Sequence, residues 1–298
     1  VSGVLDFNTF MALAMESFFE TYLPVSPILR QYIAYFYVDV QEEKNFYRKF
    51  SFFPHINTTL SFYKHASLLT GDVNKVESGA GKPLLKLLTR QQRVTTVIQT
   101  GPVYKIGIVF LPLGLNHFIR ETYADLAPEE IQDFNPANAE EWIEQINNSF
   151  ACRDPRQGIE QMEAFLLSIY QQREYGGLEK ILRDFNDPHN DQTIREIAES
   201  NYINHRKLNR DFRKELGITP EHYKMIARFR YAVDLRVLHD KQGPLTTIAY
   251  ESGYLDQSYM IRSFKKLTGL SPSAFFREGK HLGIGDTFWR FYNTKNVV

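Results

Sequence analysis

The chain repeats itself near its C-terminal end, and that repeat constrains the fold more than any other feature. Aligning Glu199–Pro220 with Glu251–Pro272, an offset of 52, brings eight identical residues together in 22 positions. Average residue usage would give roughly one or two. The identities include Arg210/Arg262, Phe212/Phe264, Lys214/Lys266, Gly217/Gly269 and Pro220/Pro272, with Ile203/Leu255, Leu208/Met260, Arg213/Lys265 and Thr219/Ser271 as conservative pairs. Ala198 and Ala249 match at an offset of 51, which places one insertion ahead of the repeat.

Each copy reads as helix, tight turn, helix. In the first, Ile194, Ile197 and Ala198 form the inner face of a short helix, and Thr193 with Glu196 makes a capping box. A turn around Asn201–Asn204 follows, with Asn204 capping the next helix. In the second, Leu245, Ile248 and Ala249 face inward, Gly253 supplies the positive φ of a sharp turn, and Asp256 caps the next helix. Pro220, Pro244 and Pro272 each fall at a first helical position. Helices joined this way form a helix-turn-helix, whose second helix enters a DNA major groove.

The helical period sorts the faces of those second helices, over about 205–216 and 257–267. Leu208, Phe212 and Leu216 turn inward, leaving Arg206, Asn209, Arg210 and Arg213 outward. Met260, Phe264 and Leu267 turn inward in the second copy, leaving Gln257, Ser258, Ile261, Arg262 and Lys265 outward. Arg can bond guanine O6 and N7, Asn or Gln can bond adenine N6 and N7, and helix N-termini offer N–H groups to phosphate. A basic helix face on its own is ordinarily solvated charge; two in matched positions behind matched turns point to DNA.

The 298 residues carry 35 Lys+Arg and 35 Asp+Glu, a balance that argues against a nucleic-acid binder until the chain is divided. Residues 181–298 hold 19 basic and 14 acidic residues, a net +5; residues 1–180 hold 16 and 21, a net −5. Gly176, Gly177 and Asn186–Pro188 mark a boundary within 176–190.

The first half reads differently. Residues 30–112 are strands: Ile56, Thr58, Leu60 and Phe62 alternate with Asn57, Thr59, Ser61 and Tyr63, and Tyr104, Ile106, Ile108 and Phe110 alternate with Lys105, Gly107 and Val109. Short strands with turn residues between them suggest a sandwich or barrel. Residues 1–20 and 138–182 read as helices. The fold class is therefore α+β in two domains: an N-terminal β-barrel or sandwich with flanking helices over 1–178, an all-α DNA-binding part over 179–280, and an extension over 281–298. The early aromatic cluster, Tyr32 to Phe53, either fills the barrel core or lines a ligand pocket.

Other chemistry is set aside. Gly79–Lys82 lacks the spacing and the Ser or Thr of a phosphate loop and reads as a turn. His55, His65 and His117 have no partner at metal-ligand spacing, so no metal and no cofactor is expected. Cys152 is the single cysteine, which excludes internal disulfides and Cys-based zinc sites. No run approaches the ~20 apolar residues of a membrane span. No basic region followed by an apolar core opens the chain, so no secretory signal is read and the cytoplasm is the expected location.

The residues from about 181 to 280 resemble the C-terminal domain of AraC/XylS-type bacterial transcriptional regulators. The first half of the match runs from Ile197-Ala198 through Leu208, Arg210, Phe212, Arg213 and Lys214 to Gly217–Pro220. Arg230 to Leu238 resembles the linker helix of that family. The second half includes Ile248-Ala249, Gly253-Tyr254, Gln257–Tyr259, Arg262, Phe264–Lys266 and Gly269–Pro272. Asn204 stands where Ser is usual and Met260 where Phe or Leu is common. Residues 25–135 also resemble the N-terminal domain of a subgroup of these regulators. The resemblance implies a non-enzymatic one-component regulator with a cupin-like sensing or dimerising domain. Its implied partners are double-stranded DNA, RNA polymerase for an activator, a small-molecule effector and a second copy of the chain. Two alternatives remain: a ligand-binding barrel whose helical domain mediates protein contacts, and a DNA-repair alkyl transferase. The latter needs several cysteines where this chain has one.

Overall fold

The computed structural model describes residues 17–78, 83–88, 93–126, 130–237, 243–283 and 287–292. Residues 1–16, Gly79–Lys82 and Leu238 lie outside them. Phe18–Tyr22 (β1), Ile33–Gln41 (β2), Tyr47–Phe52 (β3), Thr58–Tyr63 (β4), Ala66–Leu69 (β5), Asn74–Ser78 (β6), Leu84–Leu88 (β7), Thr95–Thr100 (β8), Val103–Phe110 (β9) and Ile131–Asp133 (β10) form most of two six-stranded sheets. The sheet orders are β1-β2-β9-β4-β7-β10 and, counted inward from its far edge, β5-β6-β8-β3. Two further strands from the end of the chain complete the second sheet: Gly279–Leu282 (β11) and Thr287–Tyr292 (β12), with β12 on β3. The helical reading of 1–20 fails where it can be seen. Phe18 and Phe19 open β1, whose aromatic side chains and Thr21 suit pairing with β2.

Period-two alternation divides the first sheet between two environments. Phe36, Val38, Val40, Leu60, Phe62, Ile106, Ile108 and Phe110 face two helices, Ala139–Ala151 (α2) and Pro155–Ile169 (α3). Trp142, Ile146, Met162 and Leu166 of those helices are fully buried against them, each side chain contributing about 1.5–3 kcal/mol by leaving water. Buried Glu163 of α3 accepts hydrogen bonds from the Val25 and Ser26 N–H groups at 2.9 and 3.1 Å, fixing the chain ahead of β2. The opposite face carries Tyr35, Tyr37, Ser61, Tyr63 and Lys105, all buried, because it looks across to the second sheet. Polar residues that alternate along a strand here line an interior and not the surface. The aromatic cluster is likewise shared: Phe36 is core, whereas Tyr35, Tyr37, Phe50, Phe52 and Phe53 line a cavity between the sheets.

The second half is helical. A short helix, Tyr123–Leu126 (α1), precedes α2; Leu178–Asn186 (α4), Ile194–Ser200 (α5), His205–Leu216 (α6), Pro220–Val237 (α7), Leu245–Glu251 (α8), Gln257–Thr268 (α9) and Pro272–Glu278 (α10) follow α3. They gather around two cores with α7 common to both. Tyr223 and Ala227 of α7 pack with Phe185, Ile197, Leu208 and Phe212 in the first core. Ile226, Phe229, Ala232 and Val233 pack with Ile248, Met260, Phe264 and Phe275 in the second. Eighteen residues at 1.5 Å each make α7 about 27 Å long. Tyr223 Oη donates to Asn186 Oδ1 at 3.1 Å and Lys224 Nζ to Gln192 O at 2.6 Å, which ties α7 to the end of α4 and to the segment between α4 and α5. Burial lowers the pKa of that lysine.

Candidate nucleic-acid interface

Both helix-turn-helix units are held by the caps expected of them. The Thr193 and Glu196 capping box is formed, and the side chains of Asn204, Asp256 and Ser271 accept the N–H groups of Lys207, Tyr259 and Ala274. Pro244 differs from expectation: it is the N-cap of α8, in extended backbone, with Leu245 as the first helical residue.

The turns correct the placement of the insertion. The Ile203 N–H donates to Ala198 O at 2.9 Å, and the Tyr254 N–H donates to Ala249 O at 3.0 Å, so Ile203 is matched by Tyr254. Both are buried, whereas Leu255 is 92% exposed. The extra residue is therefore Leu255, inside the second turn, and not ahead of the repeat. The Ile203/Leu255 pairing fails, and the Glu, Ser and Tyr identities before it belong to a register one residue off. Gly253, with φ of 71°, is matched by Tyr202, with φ of 56°. A Cβ on Gly253 would lie 2.3 Å from Pro188 O, so glycine there allows close packing as well as the turn. Tyr202 pays no such contact, being 99% exposed.

Past the turn the offset of 52 holds, and the two second helices present matching surfaces. Arg206, Arg210 and Arg213 are exposed along one strip of α6; Ser258, Arg262 and Lys265 occupy the same three positions of α9. Among the described residues no carboxylate pairs with Arg206, Arg213, Arg262 or Lys265, and Arg210 meets only Asp211, at 3.5 Å. Such cations remain available to phosphates and base edges. The other outward residues stand at the edges of the strips. Asn209 is half-buried, its amide donating back to His205 O at 3.1 Å, and Gln257 and Ile261 are half-buried beside the α9 strip. Lys214 and Lys266 form a further matched, exposed pair that the face assignment passed over. Their recurrence in the repeat was the available signal.

The N-terminal half abuts one edge of α6. Asn116 Nδ2 donates to Glu215 O at 3.0 Å and to Glu215 Oε2 at 3.2 Å. Arg173 secures the connection by donating to the carbonyls of Ile119, Arg120 and Glu121. His117 lies within a group of Tyr32, Tyr170 and Tyr175 rings, 4.1 to 5.8 Å away between centroids, and its burial lowers the imidazole pKa. At the second unit the contact is apolar. Phe53, just after β3, enters the core beside Phe275 at 4.7 Å, and Arg230 of α7 donates to Phe53 O and Pro54 O, both at 2.6 Å.

A cavity of about 100 Å³ lies between the sheets. Tyr35, Tyr37, Tyr63 and Trp289 contribute rings to its lining, and Lys86, Lys105 and Arg230 contribute cations. Lys86 pairs with Asp133 at 2.7 Å, whereas Lys105 Nζ sits 4.9 and 5.2 Å from the ring centroids of Tyr37 and Tyr63, with no ion pair among the described residues. Burial raises the phenol pKa of both tyrosines, which keeps them protonated as hydrogen-bond donors. Among the described residues no group of three or more His, Cys, Asp or Glu side chains could hold a metal ion, and no helix is long and apolar enough to cross a membrane. Cys152 is partly exposed at the end of α2, with its Sγ 3.5 Å from Asn148 O.

Residues 197–278 match a family model described as a helix-turn-helix domain. Over 89 residues the chain is 28% identical to a Streptomyces antibioticus protein described as an AraC-like transcription regulator, covering 30% of this chain and 29% of that one. Over 64 residues it is 31% identical to LumQ of Photobacterium leiognathi, described as a transcriptional regulator, covering 22% and 25%. The matched part thus spans under a third of each relative. Among solved structures, ToxT from Vibrio cholerae is 14% identical with a TM-score of 0.46, covering 81% of this chain and 98% of that one. The paired units on one connecting helix, and the relatives that share this region, identify residues 197–278 as an AraC-type helix-turn-helix domain.

Proposed function

We propose that the whole chain is a sequence-specific DNA-binding transcription regulator, with α6 and α9 entering successive major grooves and a small molecule in the barrel cavity setting its activity. The observation that carries this reading is the matched trio on each helix, Arg206, Arg210, Arg213 and Ser258, Arg262, Lys265, at equal positions behind equivalent turns. Arg210 and Arg262 sit centrally and take guanine edges. Arg206, Arg213 and Lys265 take phosphates, Ser258, Asn209 and Gln257 take polar base edges, and Ile261 takes a thymine methyl. The ~27 Å of α7 is comparable with the ~34 Å between successive grooves on one face of DNA.

In this reading residues 1–178 sense, 179–280 bind DNA, and 281–298 are an extension. The cavity suits a ligand with an apolar body for its aromatic walls and an anionic group for Lys105. RNA polymerase is a partner if the protein activates, a second copy of the chain would double the reading length, and such a regulator works in the cytoplasm. The test is selection of random DNA fragments by the full chain. The expected result is an enriched sequence with two base blocks about 10 base pairs apart, bound with an affinity that falls steeply with salt. Recovery of unenriched DNA would contradict the reading.

A further inference from the structure

The end of the chain returns to the barrel. After α10, β11 and β12 form a hairpin, and β12 pairs with β3 through Trp289↔Phe52, Arg290↔Ser51, Phe291↔Phe50 and Tyr292↔Lys49. The DNA-binding part is thereby attached to the barrel at both of its ends, by the segment before α4 and by this strand.

The strand joins two interiors. Thr287 and Trp289 point between the sheets: Thr287 Oγ1 is 2.7 Å from Tyr35 Oη, and the Trp289 ring stacks on Phe50 at 4.5 Å. Phe288, between them, packs on Phe275 of α10 at 4.8 Å, in the core of the second helix-turn-helix unit. It also lies over Gly279, where a Cβ would come within 1.9 Å of its ring. A change in the cavity that moves Trp289 must therefore move the residue that holds α10.

The cavity is also too small as it stands. Its volume of about 100 Å³ is below the ~150 Å³ that accommodates benzene, and well below the ~300 Å³ at which pockets for larger ligands begin. A wall has to withdraw for a ligand to enter. Strands β4, β8 and β9 are hydrogen-bonded on both sides by the body of the barrel, whereas β12 is held there by β3 alone, with only the four-residue β11 beyond it. The edge strands β5 and β10, which add Leu68 and Ile131 to the lining, also have one partner each, but of these three walls the hairpin is the one that continues from α10, so its movement is the one that reaches the helix-turn-helix part.

We propose that this C-terminal hairpin is a latch: docked, it holds the helix-turn-helix domain against the barrel and weakens DNA binding, and a ligand entering the cavity displaces Trp289 and releases it. The inference rests on the cavity being the effector site. Weakening follows from charge and position. The half that carries a net −5 is held against the edge of α6, next to the strip of Arg206, Arg210 and Arg213, where it opposes approach of phosphates.

The latch can be locked without removing anything from the core. Lys49 and Tyr292 face each other across β3 and β12 and are both partly exposed. Opposed Cα atoms in an antiparallel pair lie about 4.5–5.5 Å apart, a span that a disulfide bridges. In a full-length C152S background, the K49C/Y292C protein is compared oxidised and reduced, beside Trp289→Ala. Binding is read on the DNA selected by the wild-type chain, and cavity access by the fluorescence of anilinonaphthalene sulfonate, a dye with apolar rings and one anionic group. The oxidised form should bind DNA about five- to tenfold more weakly than the reduced form and exclude the dye. Trp289→Ala should bind DNA more tightly than wild type and admit the dye. Equal DNA affinity and equal dye uptake in the two redox forms, with wild-type DNA binding intact, overturn the latch alone. A wild-type chain that selects no DNA sequence overturns the regulator reading together with the latch.

Discussion

The first helix-turn-helix unit turns at Tyr202 and caps its second helix two residues later at Asn204; the second turns at Gly253 and passes through Leu255 before Asp256 caps. What both retain is the bond from the first buried residue after the turn to the alanine on the preceding helix. The repeat therefore preserves a packing relation, and the number of exposed residues in the turn is free to vary. Mounting differs as well. The barrel meets the first unit through Asn116 and Glu215 and through Leu113, buried in that unit's core, and the second through the larger aromatic contact of Phe53, Phe275 and Phe288, which would be left exposed on parting. The second unit is thus the one joined to the barrel's aromatic interior, and substitutions in the two units should differ in what they disturb.

The largest difference is expected in the cores. Phe212→Ala and Phe264→Ala each remove a fully buried ring and should each cost about 3–5 kcal/mol in chemical denaturation. Phe264 packs on Phe229, Phe275 and Phe276, so its loss should also loosen the barrel contact and change Trp289 fluorescence. Phe212, packed on Phe185 and Tyr223, should leave that signal unchanged. An identical Trp289 response in both variants would break the distinction between the two mountings.

Smaller effects should separate the turns. Gly253→Ala meets both a positive φ and Pro188 O, and should destabilise by about 1–3 kcal/mol. Tyr202→Gly removes a left-handed conformation that costs a side chain about 1–2 kcal/mol but adds the ~0.5–1 kcal/mol entropic cost of glycine, so it should stabilise by roughly 0.5 kcal/mol. Thermal melts in which Tyr202→Gly destabilises would contradict a strained left-handed side chain at the first turn.

These relations were unequally legible in the sequence. Caps and faces were readable because they depend on neighbours within four residues: Asn204 and Asp256 cap, Leu208, Phe212, Met260 and Phe264 are buried, and Arg206, Arg210, Arg262 and Lys265 are exposed. The insertion was misplaced because matching by identity favoured Tyr202 with Tyr254, while hydrogen bonding matches Tyr202 with Gly253. The interior role of Lys105 was hidden by an alternation that reads the same whether the second face meets water or another sheet. The return of Thr287–Tyr292 to β3 could not be read locally, since Trp289 and Phe52 are more than 200 residues apart and six residues of strand do not specify a partner.

The central claim is that two equivalent helices each read their own part of one DNA site. It is tested most directly by measuring Arg210→Ala and Arg262→Ala on the selected DNA and on versions altered in either base block. Each variant should lose about 1–3 kcal/mol of binding and lose discrimination in one block only, a different block for each. Wild-type affinity and discrimination in both blocks, for both variants, would contradict the assignment of α6 and α9 as the readers.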